Sequence, residues 1–134
     1  VRPERIAAIG TIMADIADEE LGAPDIDTIV GISINGISFA HEVARCLGSE
    51  VTIYRNVEGD DGHGVLSSKY GQVSGKKVVI IDDVLSSGTT MGKTIGAIRA
   101  AGGEVGLAIV LVNKTDRNEI DGVPLRGIIR AVPV

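Results

Sequence analysis

The sequence predicts an α/β fold: an open, mainly parallel five-stranded sheet with helices on both faces. Apolar, mostly β-branched runs alternate along the chain with segments of helical periodicity, which is typical of such sheets. The composition agrees, because 44% hydrophobic residues with only 2% aromatic ones imply a core of Ile, Val, Leu and Ala. A length of 134 residues fits a single domain over 1–134. The predicted strands lie near residues 26–32, 50–54, 77–82, 105–112 and 126–132.

The first predicted element is a helix that begins at Pro3 and ends before Gly22. Proline suits the first turn of a helix, and apolar residues recur at near-helical spacing up to Leu21. A second helix follows the 26–32 strand and closes at Gly48. Because the chain starts at Val1 without a methionine and directly at a helix, we expect a fragment that lacks an N-terminal domain.

The charge of the chain limits its function classes. A net charge of −5 and the lack of a basic stripe argue against nucleic-acid binding by this domain alone. A phosphate ligand would therefore depend on local backbone amides and Mg²⁺ instead of bulk positive charge. No apolar run reaches membrane-spanning length and no signal peptide is visible, so we expect no membrane contact and a cytoplasmic protein.

The most informative stretch is 78–90. Residues 78–81 are apolar and favour a strand buried on both faces, which stops at Asp82 and Asp83. A loop of small hydroxyl residues and glycine then leads into a predicted helix over residues 91–101. A helix N-terminus presents unsatisfied N–H donors and the positive end of its dipole, which favours an anion. Ionised carboxylates only accept hydrogen bonds, so the two acids suit a ligand with hydroxyl groups.

This stretch closely resembles the phosphoribosyl-pyrophosphate (PRPP) motif of the type I phosphoribosyltransferases, which reads as an apolar strand, two acids, two apolar residues, two small residues and Gly-Thr. The resemblance implies the fold of that family, with Mg²⁺ bound through PRPP and no direct metal ligand. It implies that Asp82 and Asp83 hold the ribose hydroxyls and act as catalytic residues in an enzyme. The alternative is an acid pair that caps a helix in an ordinary α/β protein. The residues implied to wrap the 5′-phosphate are Ser86, Ser87, Gly88, Thr89 and Thr90.

The turn after the first predicted strand, 26–32, is the second candidate region. Type I phosphoribosyltransferases bind pyrophosphate there through backbone amides, and Asn35 and Gly36 both tolerate unusual dihedral angles. The alternative is a routine turn between a strand and a helix, but the motif at 78–90 favours pyrophosphate binding. The residues assigned to pyrophosphate by the resemblance are Ser33, Ile34, Asn35, Gly36 and Arg55.

Residues 55–76 form a predicted irregular segment of unusual length, typical of a lid or binding loop. In the orotate branch of the family a mobile loop here closes over the reacting centre and carries an Arg-Lys pair and a further Lys. Arg55 is retained, whereas Asn56 and either Glu58 or Gly59 stand where the lysines are expected. Cationic side chains stabilise the charge that develops on departing pyrophosphate, so their loss favours binding without turnover.

A charged segment, Asn113 to Glu119, follows the fourth predicted strand. It resembles the Asp-Arg-Gln-Glu segment of orotate phosphoribosyltransferases, in which the Arg contacts the carboxylate of the base. Arg117 is therefore the candidate base-binding residue. The alternative is a charged, solvated turn.

Two functions are consistent with these patterns. We favour a PRPP-binding, effector-sensing domain of an orotate phosphoribosyltransferase-like regulator of nucleotide metabolism, a role that some archaeal regulators give to this fold behind a helix-turn-helix. The alternative is an active phosphoribosyltransferase that transfers ribose 5-phosphate from PRPP to a nucleobase, orotate or a purine, with release of pyrophosphate. The expected partners are PRPP or a nucleotide, a nucleobase for the enzyme, and a second copy of the chain, because the family is commonly dimeric.

Overall fold

The computed structural model describes residues 2–56, 64–66 and 73–131. Within those ranges none of the helices combines the length and the apolarity that a membrane crossing requires. The elements in chain order are α1 (Pro3–Leu21), a 3₁₀ turn (Ala23–Asp25), β1 (Thr28–Ile32), α2 (Ser33–Leu47), β2 (Glu50–Asn56), β3 (Gly64–Leu66), β4 (Lys77–Leu85), α3 (Thr89–Ala100), β5 (Glu104–Asn113), β6 (Glu119–Ile120) and β7 (Val123–Arg130).

The strands in the described part of the chain form one sheet, in the order β3-β2-β1-β4-β5-β7-β6. Strands β2, β1, β4, β5 and β7 run parallel, which confirms the predicted open, mainly parallel sheet and its five strands. Strands β3 and β6 are short antiparallel additions at the two edges, and the sequence patterns did not predict them.

The helices lie on both faces of the sheet, as predicted. Helices α1 and α2 bury Met13 and Phe39 in one core with Ile81 of β4. Helix α3 buries Ile95 in the opposite core with Ile80. Consecutive strand residues point to opposite faces, so a continuous apolar run is what a strand covered on both faces requires.

Several element ends differ from the predicted ones near the carboxyl edge of the sheet. Strand β4 continues beyond Asp82 because it still pairs with β5 as far as Leu85. Helix α3 begins at Thr89, earlier than the predicted residue 91. The turn predicted after β1 is the first turn of α2, which begins at Ser33.

The last strand also starts earlier than predicted, at Val123, because β6 and β7 form a hairpin. The two turn residues, Asp121 and Gly122, have φ values of 49° and 84°. Positive φ at both central residues defines a type I′ turn, and Asp-Gly is one of the pairs that favour it. The Asp-Gly pair was a readable signal of this hairpin, and the prediction of a last strand at 126–132 did not use it.

Part of the segment predicted as irregular, 55–76, is regular. Arg55 continues β2 and pairs with Val65 of β3. Residues 57–63 and 67–72 lie outside the described part of the chain. They include Glu58 and Gly59, one of which stands where the second lysine of the orotate branch is expected.

The connections around β1 and β4 determine where a ligand can bind. Helix α2 leads from β1 to β2 on one side, whereas α3 leads from β4 to β5 on the other, although β1 and β4 are neighbours. Such a topological switch point opens a crevice beyond the carboxyl ends of the two strands. Gly31 brings α2 close, because a Cβ there would lie 2.8 Å from the Ile37 Cα.

Candidate ligand-binding site

A cavity of about 490 Å³ lies at this switch point. All residues of the 82–90 stretch contribute to its wall, but of the four predicted in the turn after β1 only Ser33 and Ile34 do, whereas Asn35 and Gly36 do not. The lining residues are Ile32, Ser33, Ile34, Ile37, Tyr54, Asp82, Asp83, Val84, Leu85, Ser86, Ser87, Gly88, Thr89, Thr90 and Met91.

Asp82 is the buried member of the acid pair, with 8% of its surface exposed. Its Oδ1 accepts hydrogen bonds from the Ser33 hydroxyl at 2.9 Å and from the Asp83 N–H at 2.8 Å. Burial penalises the ionised carboxylate more than these bonds favour it, and raises the pKa of Asp82 to about 7. Asp82 therefore gains or loses its proton near neutral pH.

Asp83 behaves differently because it is more exposed and better supplied with donors. Its carboxylate accepts hydrogen bonds from Asn35 Nδ2 at 3.3 Å and from the Val84 N–H at 2.7 Å. Burial opposes its ionisation, but hydrogen bonding with Asp82, Asn35 and Val84 outweighs burial and lowers the pKa of Asp83. The second negative charge of the pair is therefore gained near neutral pH, when Asp82 ionises.

Ser33 connects the two segments that form the cavity. Its φ is 65°, which is uncommon for a residue other than glycine. Its hydroxyl donates to Asp82 at 2.9 Å, lies 3.4 Å from the Asp83 Oδ1 as well, and accepts the Gly36 N–H at 3.2 Å. One hydroxyl thus caps the start of α2 and ties it to the acids of β4.

Gly36 contributes by close approach, and not through the unusual dihedral angle that the sequence suggested. A Cβ on Gly36 would lie 3.0 Å from the Ile81 carbonyl oxygen and 3.2 Å from Asp82 Oδ1. The left-handed conformation in this turn belongs to Ser33, while Asn35 and Gly36 have negative φ. Only a residue without a side chain allows α2 to begin this close to Asp82.

The loop 86–90 offers backbone donors to the cavity. Gly88 precedes α3 with a φ of 87°, and the Thr89 N–H is bonded to the Ser87 hydroxyl at 3.3 Å. No described residue accepts a hydrogen bond from the N–H of Gly88, Thr90 or Met91. These groups stand at the positive end of the helix dipole, so this corner of the cavity suits an anion.

The predicted cations are not part of the described cavity wall. Arg117 lies beyond Gly88, with its Nη1 3.2 Å from the position that a Cβ on Gly88 would take. The Arg55 side chain is outside the described residues. Among the described lining residues the charged side chains are Asp82 and Asp83. The described residues also contain no cluster of three or more His, Cys, Asp or Glu side chains suited to a metal ion.

Part of the cavity wall is apolar, and the sequence patterns did not reveal it. Tyr54 comes from the end of β2, Ile37 from α2, and Met91 from the first turn of α3. Ile34 is 85% exposed, although it lies in a predicted ligand-binding turn. The position of Tyr54 could have been anticipated, because β2 neighbours β1 in a parallel sheet and both strands end at the same edge.

Comparison with known proteins agrees with this geometry. Residues 2–132 match the family model of the phosphoribosyl transferase domain. The chain is 42% identical over 128 residues to the transcriptional regulator GfcR of Thermoplasma acidophilum, covering 94% of this chain and 64% of that protein. It is 42% identical over 132 residues to GfcR of Picrophilus torridus, covering 97% of this chain and 67% of the relative.

A solved structure shows the same fold. Adenine phosphoribosyltransferase from Thermoanaerobacter pseudethanolicus superposes with a TM-score of 0.76 at 21% identity, over 92% of this chain and 78% of that one. The GfcR relatives are longer, and the chain spans about two thirds of their length. The match of the family model over nearly the whole chain is decisive: this chain belongs to the phosphoribosyl transferase domain family.

Proposed function

We propose that this chain binds PRPP, or a nucleotide with the same ribose 5-phosphate unit, and serves as the effector-sensing domain of a transcriptional regulator similar to GfcR. One observation carries the proposal. One cavity contains both the acid pair Asp82–Asp83 and three backbone N–H groups that have no described acceptor, those of Gly88, Thr90 and Met91. A sugar phosphate needs both features, acceptors for its hydroxyl groups and donors for its phosphate.

In this proposal Asp82 and Asp83 accept hydrogen bonds from the ribose hydroxyls, and residues 86–90 surround the 5′-phosphate. The turn at 33–36 with Arg55 binds the pyrophosphate of PRPP. The resemblance to orotate phosphoribosyltransferases alone assigns Arg117 to a base. Mg²⁺ enters with the ligand and neutralises its phosphates. The residues fit an ion carried in this way, because two adjacent carboxylates supply too few ligands for a protein cage around Mg²⁺.

An active phosphoribosyltransferase is the alternative, and it uses the same acids and the same phosphate loop. Transfer also requires stabilisation of the charge that develops on departing pyrophosphate. No lysine or arginine belongs to the cavity wall as far as the chain is described. This favours binding without turnover, and so does the 42% identity to GfcR proteins, whose name is that of a transcriptional regulator.

The proposal extends to the oligomeric state of the domain, its cellular location and its part in DNA contact. We propose that it forms a homodimer in the cytoplasm and leaves contact with DNA to another part of the regulator. The net charge of −5 supports the last point.

Calorimetric titration of the 134-residue chain with PRPP and Mg²⁺ tests the proposal. Combining Asp82→Asn with Asp83→Asn should abolish detectable binding while the circular dichroism spectrum stays native, because the ribose loses its charged acceptors. The matched control combines Asp15→Asn with Glu19→Gln, which changes the net charge equally on the exposed side of α1. Unchanged affinity in the Asp82/Asp83 variant would refute the assignment of this cavity.

A further inference from the structure

We propose that Arg117 binds the phosphate of the ligand, reaching it across Gly88, and does not contact a base. This rests on the proposed function, because it assumes that a sugar phosphate occupies the cavity. The family resemblance points Arg117 toward the base, whereas its position in this structure points to the phosphate corner.

The first support is the proximity of Arg117 to Gly88. The Arg117 Nη1 would stand 3.2 Å from a Cβ on Gly88, and the Ile120 Cδ1 would stand 2.9 Å from it. Gly88 has a φ of 87° and immediately precedes α3. A side chain at this position would separate the guanidinium from the loop backbone. Glycine therefore lets the guanidinium lie against the backbone of loop 86–90, where it can donate to the same anion as the N–H groups of the loop.

The second support is the way in which the Arg117 backbone is held. Asn113, only 1% exposed at the end of β5, donates from Nδ2 to the Arg117 carbonyl at 3.0 Å. Arg130 donates to the same carbonyl at 3.1 Å, and the Thr115 hydroxyl accepts the Arg117 N–H at 3.1 Å. Both backbone polar groups of Arg117 are thus fixed. Loss of the side chain would leave these bonds intact.

The third support is that the Arg117 guanidinium is not used elsewhere in the described structure. It makes no ion pair or hydrogen bond with any described residue, although Asp116, Glu119 and Asp121 are close in sequence. Two arginines of other elements, Arg45 and Arg126, instead form ion pairs with Glu42 and Glu20.

The charge of the cavity gives this cation a role. The described wall contains two acids and neutral donors but no cation, whereas a ribose 5-phosphate brings a dianionic phosphate. A guanidinium matches phosphate geometry through two parallel N–H donors, and such charge-assisted hydrogen bonds are stronger than neutral ones. Arg117 thus supplies, at the edge of loop 86–90, the positive charge that the loop itself lacks.

Ribose 5-phosphate is the discriminating probe, because it carries the phosphate and no base. Calorimetry should show that Arg117→Gln lowers the affinity for ribose 5-phosphate and for PRPP with Mg²⁺ by the same factor, about tenfold or more. Arg117→Lys should retain part of the affinity. In phosphorus NMR the phosphate bound to the wild-type chain should titrate at lower pH than the phosphate bound to Arg117→Gln.

Arg45→Gln is the matched control, because it removes one positive charge from an exposed site at the far end of α2 and should leave all affinities unchanged. Two results overturn the inference without affecting the proposed function. The first is that ribose 5-phosphate binds Arg117→Gln as tightly as it binds the wild type. The second is that the variant loses affinity only for orotidine 5′-monophosphate, whose base carries a carboxylate. Failure of the wild-type chain to bind either ribose 5-phosphate or PRPP overturns both proposals.

Discussion

Residues 82–90, at the carboxyl end of β4 and just beyond it, reach the same cavity as the segment that follows β1 but contribute to it differently. The 82–90 segment carries its chemistry in one short stretch, with the two acids in the last residues of β4 and the phosphate loop beginning at Ser86. The segment after β1 has no charged residue and directs its polar side chains at the other segment. Ser33 donates to Asp82, and Asn35 donates to Asp83.

This difference gives the two segments different parts in binding. Residues 82–90 offer an acid pair and N–H groups without described acceptors, which contact the ribose 5-phosphate unit in the proposed function. The residues after β1 contact only the pyrophosphate of PRPP in that proposal, and they set the hydrogen bonding and the burial of the acids. A substitution in 82–90 should therefore change the binding of ribose 5-phosphate directly, whereas one after β1 should change it through Asp82 and Asp83.

The largest effect on stability is expected from Asp82→Asn. The pKa of Asp82 lies near 7 in the folded chain and near 4 in an unfolded one, so the folded state binds more protons between those values. The free energy of unfolding of the wild type should therefore fall as the pH rises from 4 to 7, by roughly 2–4 kcal/mol from this group. Asp82→Asn should remove that slope and should exceed the wild type in stability above pH 7.

Urea unfolding at several pH values between 4 and 8 measures this effect. Asp83→Asn is the comparison, because it keeps the burial of Asp82, which is the largest cause of the raised pKa of that carboxyl. The slope between pH 4 and 7 should become shallower, since Asp83 also raises the pKa of Asp82, but it should not disappear. An equal pH slope in Asp82→Asn and wild type would show that Asp82 ionises normally.

A smaller effect is expected from Ser33→Ala. The variant loses the hydroxyl that bridges to the acids and accepts the Gly36 N–H, at a cost of about 1 kcal/mol in the free energy of unfolding. The pKa of Asp82 should rise further, because the Ser33 hydrogen bond favours its ionised form. Unfolding in urea at pH 6 and pH 8 measures both changes.

Ser38→Ala is the matched comparison for Ser33→Ala. Its hydroxyl also lies in α2, but donates only to the Ile34 carbonyl of its own helix, at 3.2 Å. If the two variants lose equal stability and show the same pH dependence, the bridge from Ser33 to β4 has no energetic role.

The same contrast explains what could be predicted from the sequence. The stretch at 78–90 was recognisable because its strand, acids and loop are contiguous, and the five parallel strands were recognisable as separate apolar runs. The role of Ser33 was not, because its partner Asp82 lies 49 residues away and meets it only through the pairing of β1 with β4. The raised pKa of Asp82 likewise depends on burial near the start of α2, which Gly36 permits.

Phosphorus NMR of PRPP with Mg²⁺ and the 134-residue chain, with orotate, uracil, hypoxanthine, adenine and guanine added in turn, tests the central proposal most directly. An effector-sensing domain should shift or broaden the PRPP signals and release no pyrophosphate beyond the protein-free control. Pyrophosphate and a nucleotide signal that grow only with one base would contradict that proposal and would identify an active phosphoribosyltransferase and its substrate.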